Sequence, residues 1–111
     1  MNAKPLINII GTISSPEGEE KFNTWYNEKH IPDLLKLKMI KSVRRFKLKG
    51  KFSDYPKFLA IYEFENLQQY NKFINSPEVA SARKDAEKIF EEVNGKFLWH
   101  VQYEEIESWQ E

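Results

Sequence analysis

SVRRFKLKGKFSDYPKFLAIYEF, Ser42 to Phe64, decides how the rest of the chain is read. From Ser42 to Lys49 apolar and basic residues alternate. Phe46 and Leu48 fall on one side, Arg45, Lys47 and Lys49 on the other, the period-2 pattern of a strand with one apolar and one polar face. Gly50 to Pro56 carries turn chemistry, and Phe58 to Phe64 is the return strand of a hairpin. The return strand can turn either Leu59, Ile61 and Glu63 or Ala60, Tyr62 and Phe64 outward, and the pattern leaves that choice open.

Before the hairpin, Leu6 to Ile13 (LINIIGTI) is β-branched and apolar and reads as a buried strand. Ser15-Pro16-Glu17 is a helix-start signal: a hydroxyl to cap, a proline for the first turn, an acid near the positive end of the dipole. Phe22, Trp25, Tyr26, Ile31, Leu34 and Leu35 follow with helical spacing, but Pro32 has no N–H to give and crowds the preceding turn. A kink or restart is predicted near His30. After the hairpin, Asn66 caps a short helix holding Leu67, Tyr70, Phe73 and Ile74. Ser76-Pro77-Glu78 repeats the start signal ahead of Val79, Ala82, Ala86, Ile89, Phe90 and Val93. Asn94-Gly95 is the stop, with glycine expected in the left-handed cap. Phe97 to Tyr103 is the last strand. The order strand, helix, strand, strand, helix, strand predicts an α+β fold of the ferredoxin-like βαββαβ plan. Residues 1–111 then form one domain, a four-stranded antiparallel sheet with its helices on one face.

Parity suggests how that sheet is buried. Ile7, Ile9, Gly11 and Ile13 share one side with no polar group, and Gly11 would let a helix come close. Phe46 with Leu48, and Phe97 with Trp99, Val101 and Tyr103, form similar sets, so these are assigned to the helix side. The opposite face then carries Leu6, Asn8, Ile10, Thr12, Arg45, Lys47, Leu98, His100 and Gln102. Its apolar members would form one exposed patch in a lone subunit, and a contiguous patch of that kind calls for a partner. Sheet facing sheet in a homodimer is the simplest solution. Charge distribution agrees. Lys36, Lys38, Lys41, Arg44, Arg45, Lys47, Lys49 and Lys51 form a basic strip, while Glu104, Glu105, Glu107 and Glu111 mark the tail. Lys47, Lys49 and Lys51 of one chain could meet Glu104, Glu105 and Glu107 of the other.

Composition excludes several classes. The chain has 111 residues, 41% of them hydrophobic and 31% charged, and its formal net charge is zero, which provides no global field for nucleic acid. No apolar run approaches the roughly 20 residues that a membrane span needs. MNAKPLINII makes a poor secretory signal, and cytoplasm is the expected compartment. With zero cysteines there is no disulfide, thiolate metal site or cysteine nucleophile. Two histidines on different elements do not make a metal site. The serines lack a nucleophile elbow, the glycines form no phosphate loop, and the lysine strip lacks an RNP-type aromatic signature.

Trp25-Tyr26-x-x-x-His30-x-Pro32-Asp33-Leu34-Leu35, Val43-Arg44-Arg45-Phe46 and Leu59-Ala60-Ile61-Tyr62-Glu63-Phe64 together resemble the dimeric α/β-barrel superfamily, and within it EthD-like and REDY-like proteins. The resemblance covers Ile9 to about Tyr103. It implies two ferredoxin-like subunits with their sheets together, and cavities for small aromatic or polyketide-like molecules. It also implies cofactor-independent oxygenase, isomerase, cyclase or decarboxylase-type chemistry in several relatives. Such proteins usually carry a Pro-Gly turn where this chain has Lys38-Met39. Haem-degrading relatives use a first-strand asparagine, a tryptophan and a helical histidine. Asn8 and Trp99 are present, but the second helical region has no histidine, and no cofactor is expected.

The candidate groups follow from this pattern. His30 is the candidate general acid or base, with Asp33 to orient it; alternatively both satisfy backbone groups freed by Pro32. Tyr26 and Tyr62 are candidate chamber walls or proton donors. Arg45 is a candidate anion anchor, or else an ion-pair partner of Glu63. His100 and Asn8 are candidate ligand contacts on the face assigned to the dimer. A non-enzymatic dimeric interaction or ligand-sensing module is the alternative function. An interior filled by Ile10, Leu59, Ile61 and Leu98 would favour it, whereas a pocket reaching His30 or His100 would favour ligand chemistry.

Overall fold

The computed structural model describes residues 4–51 and 54–111. Phe52 and Ser53, inside the turn expected at Gly50–Pro56, and the first three residues of the chain lie outside the described residues. In chain order the elements are β1 (Leu6–Ile13), α1 (Glu19–Trp25), a π-helical turn (Tyr26–His30), α2 (Ile31–Leu35), β2 (Ser42–Lys47), β3 (Phe58–Phe64), α3 (Leu67–Ile74), α4 (Pro77–Glu92) and β4 (Lys96–Glu104). The strands form a four-stranded sheet in the order β2-β3-β1-β4, with every neighbouring pair antiparallel. This is the ferredoxin-like plan that the sequence predicts. None of the described helices is long and apolar enough to cross a membrane.

Local signals are realised with two adjustments. The Ser15 hydroxyl donates to the Val93 carbonyl at 2.9 Å and accepts from the Gly18 amide at 3.1 Å, so Pro16 and Glu17 form a tied turn and α1 begins at Glu19. Asn66 and Ser76 cap as expected, accepting from the Gln69 amide at 2.9 Å and the Val79 amide at 3.3 Å. At the end of α4, however, it is Asn94 that takes the left-handed conformation, with φ 49°, and not Gly95. Gly95 is needed for closeness: a Cβ there would lie 3.0 Å from the Ile13 carbonyl oxygen. Lys38 also has positive φ, 57°, at the turn where a glycine would be unstrained.

The break predicted near His30 is a widening rather than a stop. The Ile31 amide reaches the Tyr26 carbonyl, five residues back, in the π turn. Pro32 sits in the first turn of α2, where its missing N–H costs little. A wide turn absorbs the proline ring while the chain stays helical on both sides.

Strand pairing overturns the assignment of faces. Directly opposed residues in antiparallel strands share a face. Leu6 lies opposite Phe64, Asn8 opposite Tyr62, Ile10 opposite Ala60 and Thr12 opposite Phe58. Phe58, Ala60, Tyr62 and Phe64 are all buried, as are Leu6, Asn8 and Thr12, and these residues meet the helices. Burying three aromatic rings of β3 outweighs burying isoleucines of β1, so the row Ile7, Ile9 faces outward with Leu59, Ile61 and Glu63. Gly11 therefore admits no helix; Pro56 of the hairpin and Trp99 pack over it on the outer face. A register shift between Gly11 and Thr12 also splits β4: Trp99 stays opposite Gly11, but Phe97 stands opposite Thr12 on the helix side. Phe97 thus parts from Trp99, Val101 and Tyr103, and Leu98 is the bulged residue.

The outer face is consequently greasier than expected. Its cross-strand rows read Arg44, Ile61, Ile9, Val101 and Phe46, Leu59, Gly11, Trp99. Phe46, Trp99, Val101 and Tyr103 are exposed, along with the whole of β4. Beneath the helices the core gathers round Phe22, fully buried against Trp25, Tyr26, Phe58 and Phe90.

Candidate functional site

Between the inner sheet face, the π turn and helices α3 and α4 lies a chamber of about 440 Å³. Asn8, Ile10, Thr12 and Tyr62 form its floor, Trp25, Tyr26, His30 and Leu34 one wall, and residues of α3 and α4 the roof. Phe97 and His100, on the exposed β4, stand at its rim. All of these lining residues come from one chain. Asn8 and His100, assigned by parity to the dimer face, lie on the helix side of the sheet because the pairing register reverses the faces, Asn8 buried and His100 at the exposed rim.

The π turn sets the first wall. It carries Tyr26 and His30 with Trp25 just ahead, and the wide turn brings these rings onto one another. His30 stacks on Trp25 at 4.6 Å between centroids and meets Tyr26 edge-on at 5.1 Å. Neither of its nitrogens hydrogen-bonds another described residue. Loss of hydration in this aromatic setting lowers the imidazole pKa from 6.5 to about 4, outweighing the upward pull of the Asp33 charge. His30 is thus a neutral ring at physiological pH.

Asp33 is not its hydrogen-bonded orienter. Its carboxylate is exposed, held by Lys29 at 3.1 Å and Lys36 at 3.5 Å, and Lys29 holds its pKa below the usual range. Three residues on from His30, it lies on the solvent side between those two lysines. Trp25, which sequence reasoning passed over, holds the imidazole instead.

Tyr26 and Tyr62 meet hydroxyl to hydroxyl at 2.8 Å, with only 3% and 2% of their surfaces exposed. Burial raises the pKa of both, Tyr62 the more strongly, so both remain phenols. The choice left open for β3 is settled: Tyr62 faces the chamber and Glu63 the outer side, where it pairs with Lys41. Arg45 accordingly makes no ion pair with Glu63, which lies on the opposite face. Its guanidinium lies 4.2 Å over the Tyr26 ring and donates to the Asn27 side chain at 2.9 Å. It backs the tyrosine wall and does not line the chamber as an anion anchor. Its Nε is buried without a hydrogen-bond partner among the described residues. Lys47, expected to seek a partner chain, pairs with Glu19 of its own chain at 3.0 Å.

A second polar cluster lies across the floor. The Gln102 amide donates to Asn8 Oδ1 at 2.7 Å and reaches His100 Nδ1 at 3.0 Å. Gln102 had no candidate role, although its place two residues from His100 on one strand puts both on one face. Among the described residues no three His, Cys, Asp or Glu side chains gather closely enough to hold a metal ion.

Residues 6–107 match the family described as a domain of unknown function, DUF4286, and the chain belongs to that family. No curated protein matches it. Among solved structures it is similar to an EthD (ethyl tert-butyl ether D) family protein from Bacillus halodurans, with TM-score 0.67 and 17% identity over 91% of this chain and 99% of that one. A dimeric protein of unknown function with a ferredoxin-like fold from Bacteroides fragilis has TM-score 0.65 and 17% identity, over 90% and 95% of the two chains. SnoaB, a cofactor-independent oxygenase from Streptomyces nogalater, has TM-score 0.65 and 8% identity, over 98% and 100%. At these identities the likeness is one of fold. The kinship with EthD-like and dimeric ferredoxin-like proteins implied by the Trp25–Leu35 segment holds at that level.

Proposed function

Taking membership of this family as the premise, we propose that the protein is a small cytoplasmic homodimer that binds one apolar or aromatic metabolite in the chamber of each subunit. It acts on that ligand by acid–base chemistry without a cofactor. The observation that carries this reading is the chamber itself. It is mostly apolar, it has a volume suited to a small ring compound, and a few polar groups converge on it. His30 is the base, because its ring lines the chamber with both nitrogens unbonded. Burial disfavours its protonated form, so charge developing on the ligand would have to offset that cost. Tyr26 and Tyr62 are the donors, and a dry surround strengthens each contact they make. The fold shared with a cofactor-independent oxygenase is consistent with such chemistry.

The dimer rests on the outer face. Its rows of isoleucine, leucine, valine and aromatic residues lack cover in one chain, and a second copy would cover them. The alternative is a non-enzymatic dimeric interaction or ligand-sensing module, which a barrel interior filled by Ile10, Leu59, Ile61 and Leu98 would favour. Leu59 and Ile61 lie on the outer face, whereas Ile10 lines the chamber.

The test is binding of 1-naphthol, followed through intrinsic tryptophan fluorescence, to the wild type and to Ala82→Trp, which puts a bulky ring into the roof. Saturable binding that Ala82→Trp abolishes is the expected result. Absence of binding, or binding indifferent to the blocked roof, overturns the proposal.

A further inference from the structure

The chamber floor has a chemical polarity that restricts what it can hold. Tyr62, Asn8 and Gln102 are directly opposed across β3, β1 and β4, so their side chains make one row across the sheet. His100 stands in the adjoining row, opposite Ile10. The hydrogen bonds in this row consume acceptors and leave donors over. Gln102 gives one amide hydrogen to Asn8 Oδ1 and the other to His100 Nδ1. With the Gln102 amide nitrogen donating, His100 Nδ1 is the acceptor of that contact. Asn8 is 6% exposed, and its NH₂ group has no acceptor among the described residues. In the Tyr26–Tyr62 pair one hydroxyl hydrogen lies between the oxygens; the other is likewise without an acceptor.

An amide NH₂ without a protein acceptor and a phenol hydrogen, both beside an apolar chamber, are donors that a ligand can use. Arg83 and Glu87 are the charged residues that line the chamber, and both lie on the exposed side of α4 with opposite signs. The floor itself carries no formal charge to balance an anion. We infer that the ligand is an uncharged ring compound bearing at least two acceptor oxygens of carbonyl, lactone or ether type, set along one edge so that Asn8 and the tyrosine pair each donate to one of them.

This inference rests on the ligand-binding reading above and narrows it. Two probes of matched size separate the two: coumarin, a bicyclic lactone with adjacent acceptor oxygens, and naphthalene, which has none. Binding to the wild-type protein is measured by titration calorimetry at neutral pH. The expected result is that coumarin binds about tenfold more tightly than naphthalene, the worth of one to two neutral hydrogen bonds. Asn8→Leu and the double change Tyr26→Phe with Tyr62→Phe should each bring that ratio down toward one. Equal binding of the two probes by the wild type overturns the donor row and leaves the chamber as a plain apolar site. A coumarin preference that survives both substitutions also overturns it. If neither probe binds, the inference and the ligand-binding reading fall together.

Discussion

The same strands supply the inner and outer faces of the sheet, and the two faces are built on opposite rules. On the inner face Asn8, Tyr62 and His100 interrupt the apolar surface although helices cover it. On the outer face Ile9, Ile61, Val101 and Trp99 sit in rows although no helix covers it. A monomeric enzyme of minimal design would do the reverse. The difference teaches where each proposed partner would act: a ligand would satisfy the polar groups of the inner face, and a second copy would shelter the apolar rows of the outer one.

The largest expected effect tests the outer face. Ile9→Arg puts a charge in the middle of the Arg44–Ile61–Ile9–Val101 row, where burial against a partner would cost several kcal/mol, roughly enough to change association more than a hundredfold. Sedimentation equilibrium should give a monomer for the variant and a dimer for the wild type. An Ile9→Arg dimer of undiminished affinity would mean that the outer face is not the interface.

The inner face has a pH signature. The His30 imidazole titrates at about 4 in the fold, against 6.5 when free. As pH falls below 6.5 the unfolded chain takes up a proton that the folded chain refuses, so stability is lost from pH 6.5 down to about 4 and then levels off. The full loss is on the order of 3 kcal/mol. Glu19 and Asp33, whose lysine partners hold them low, contribute only below their ordinary range, which leaves the interval above pH 5 to His30. Urea unfolding of the wild type and of His30→Gln between pH 7 and pH 5 should show the slope in the first and lose it in the second. A slope that persists in His30→Gln would assign the loss to another group.

A smaller effect sharpens the account of the tyrosine pair. Tyr26→Phe leaves the Tyr62 hydroxyl buried without its partner, and about 1–3 kcal/mol should be lost. Adding Tyr62→Phe should cost less than its effect alone, since the orphaned hydroxyl is then gone as well. Strict additivity in the double-mutant cycle would mean that the 2.8 Å contact carries no coupling.

Much of this architecture was legible because its causes are local. Asn66 and Ser76 cap, and Pro32 disrupts the first helix, through bonds made or missed within a few residues. Ser42–Phe64 folds into a hairpin because alternation and turn chemistry act over neighbouring positions. His30 and Tyr26, four residues apart, could be placed on one side of a helix and were found lining one chamber. Asp33 turns to solvent in its ion pairs with Lys29 and Lys36, a choice of partner that helical spacing from His30 does not encode.

Element order, helix ends, the hairpin and the existence of two apolar sheet faces could thus be read from the chain, since each follows from side chains and their near neighbours. Which face the helices take could not. Alternation offers two equivalent sets in every strand, and the choice falls only when β1 pairs with β3 and the aromatic side of β3 carries Asn8 inward with it. The bulge that turns Phe97, the packing of Arg45 against Tyr26 and the hydroxyl contact between Tyr26 and Tyr62 join residues distant in sequence. Their energies exist only after the sheet has closed, and the site was therefore decided by folding.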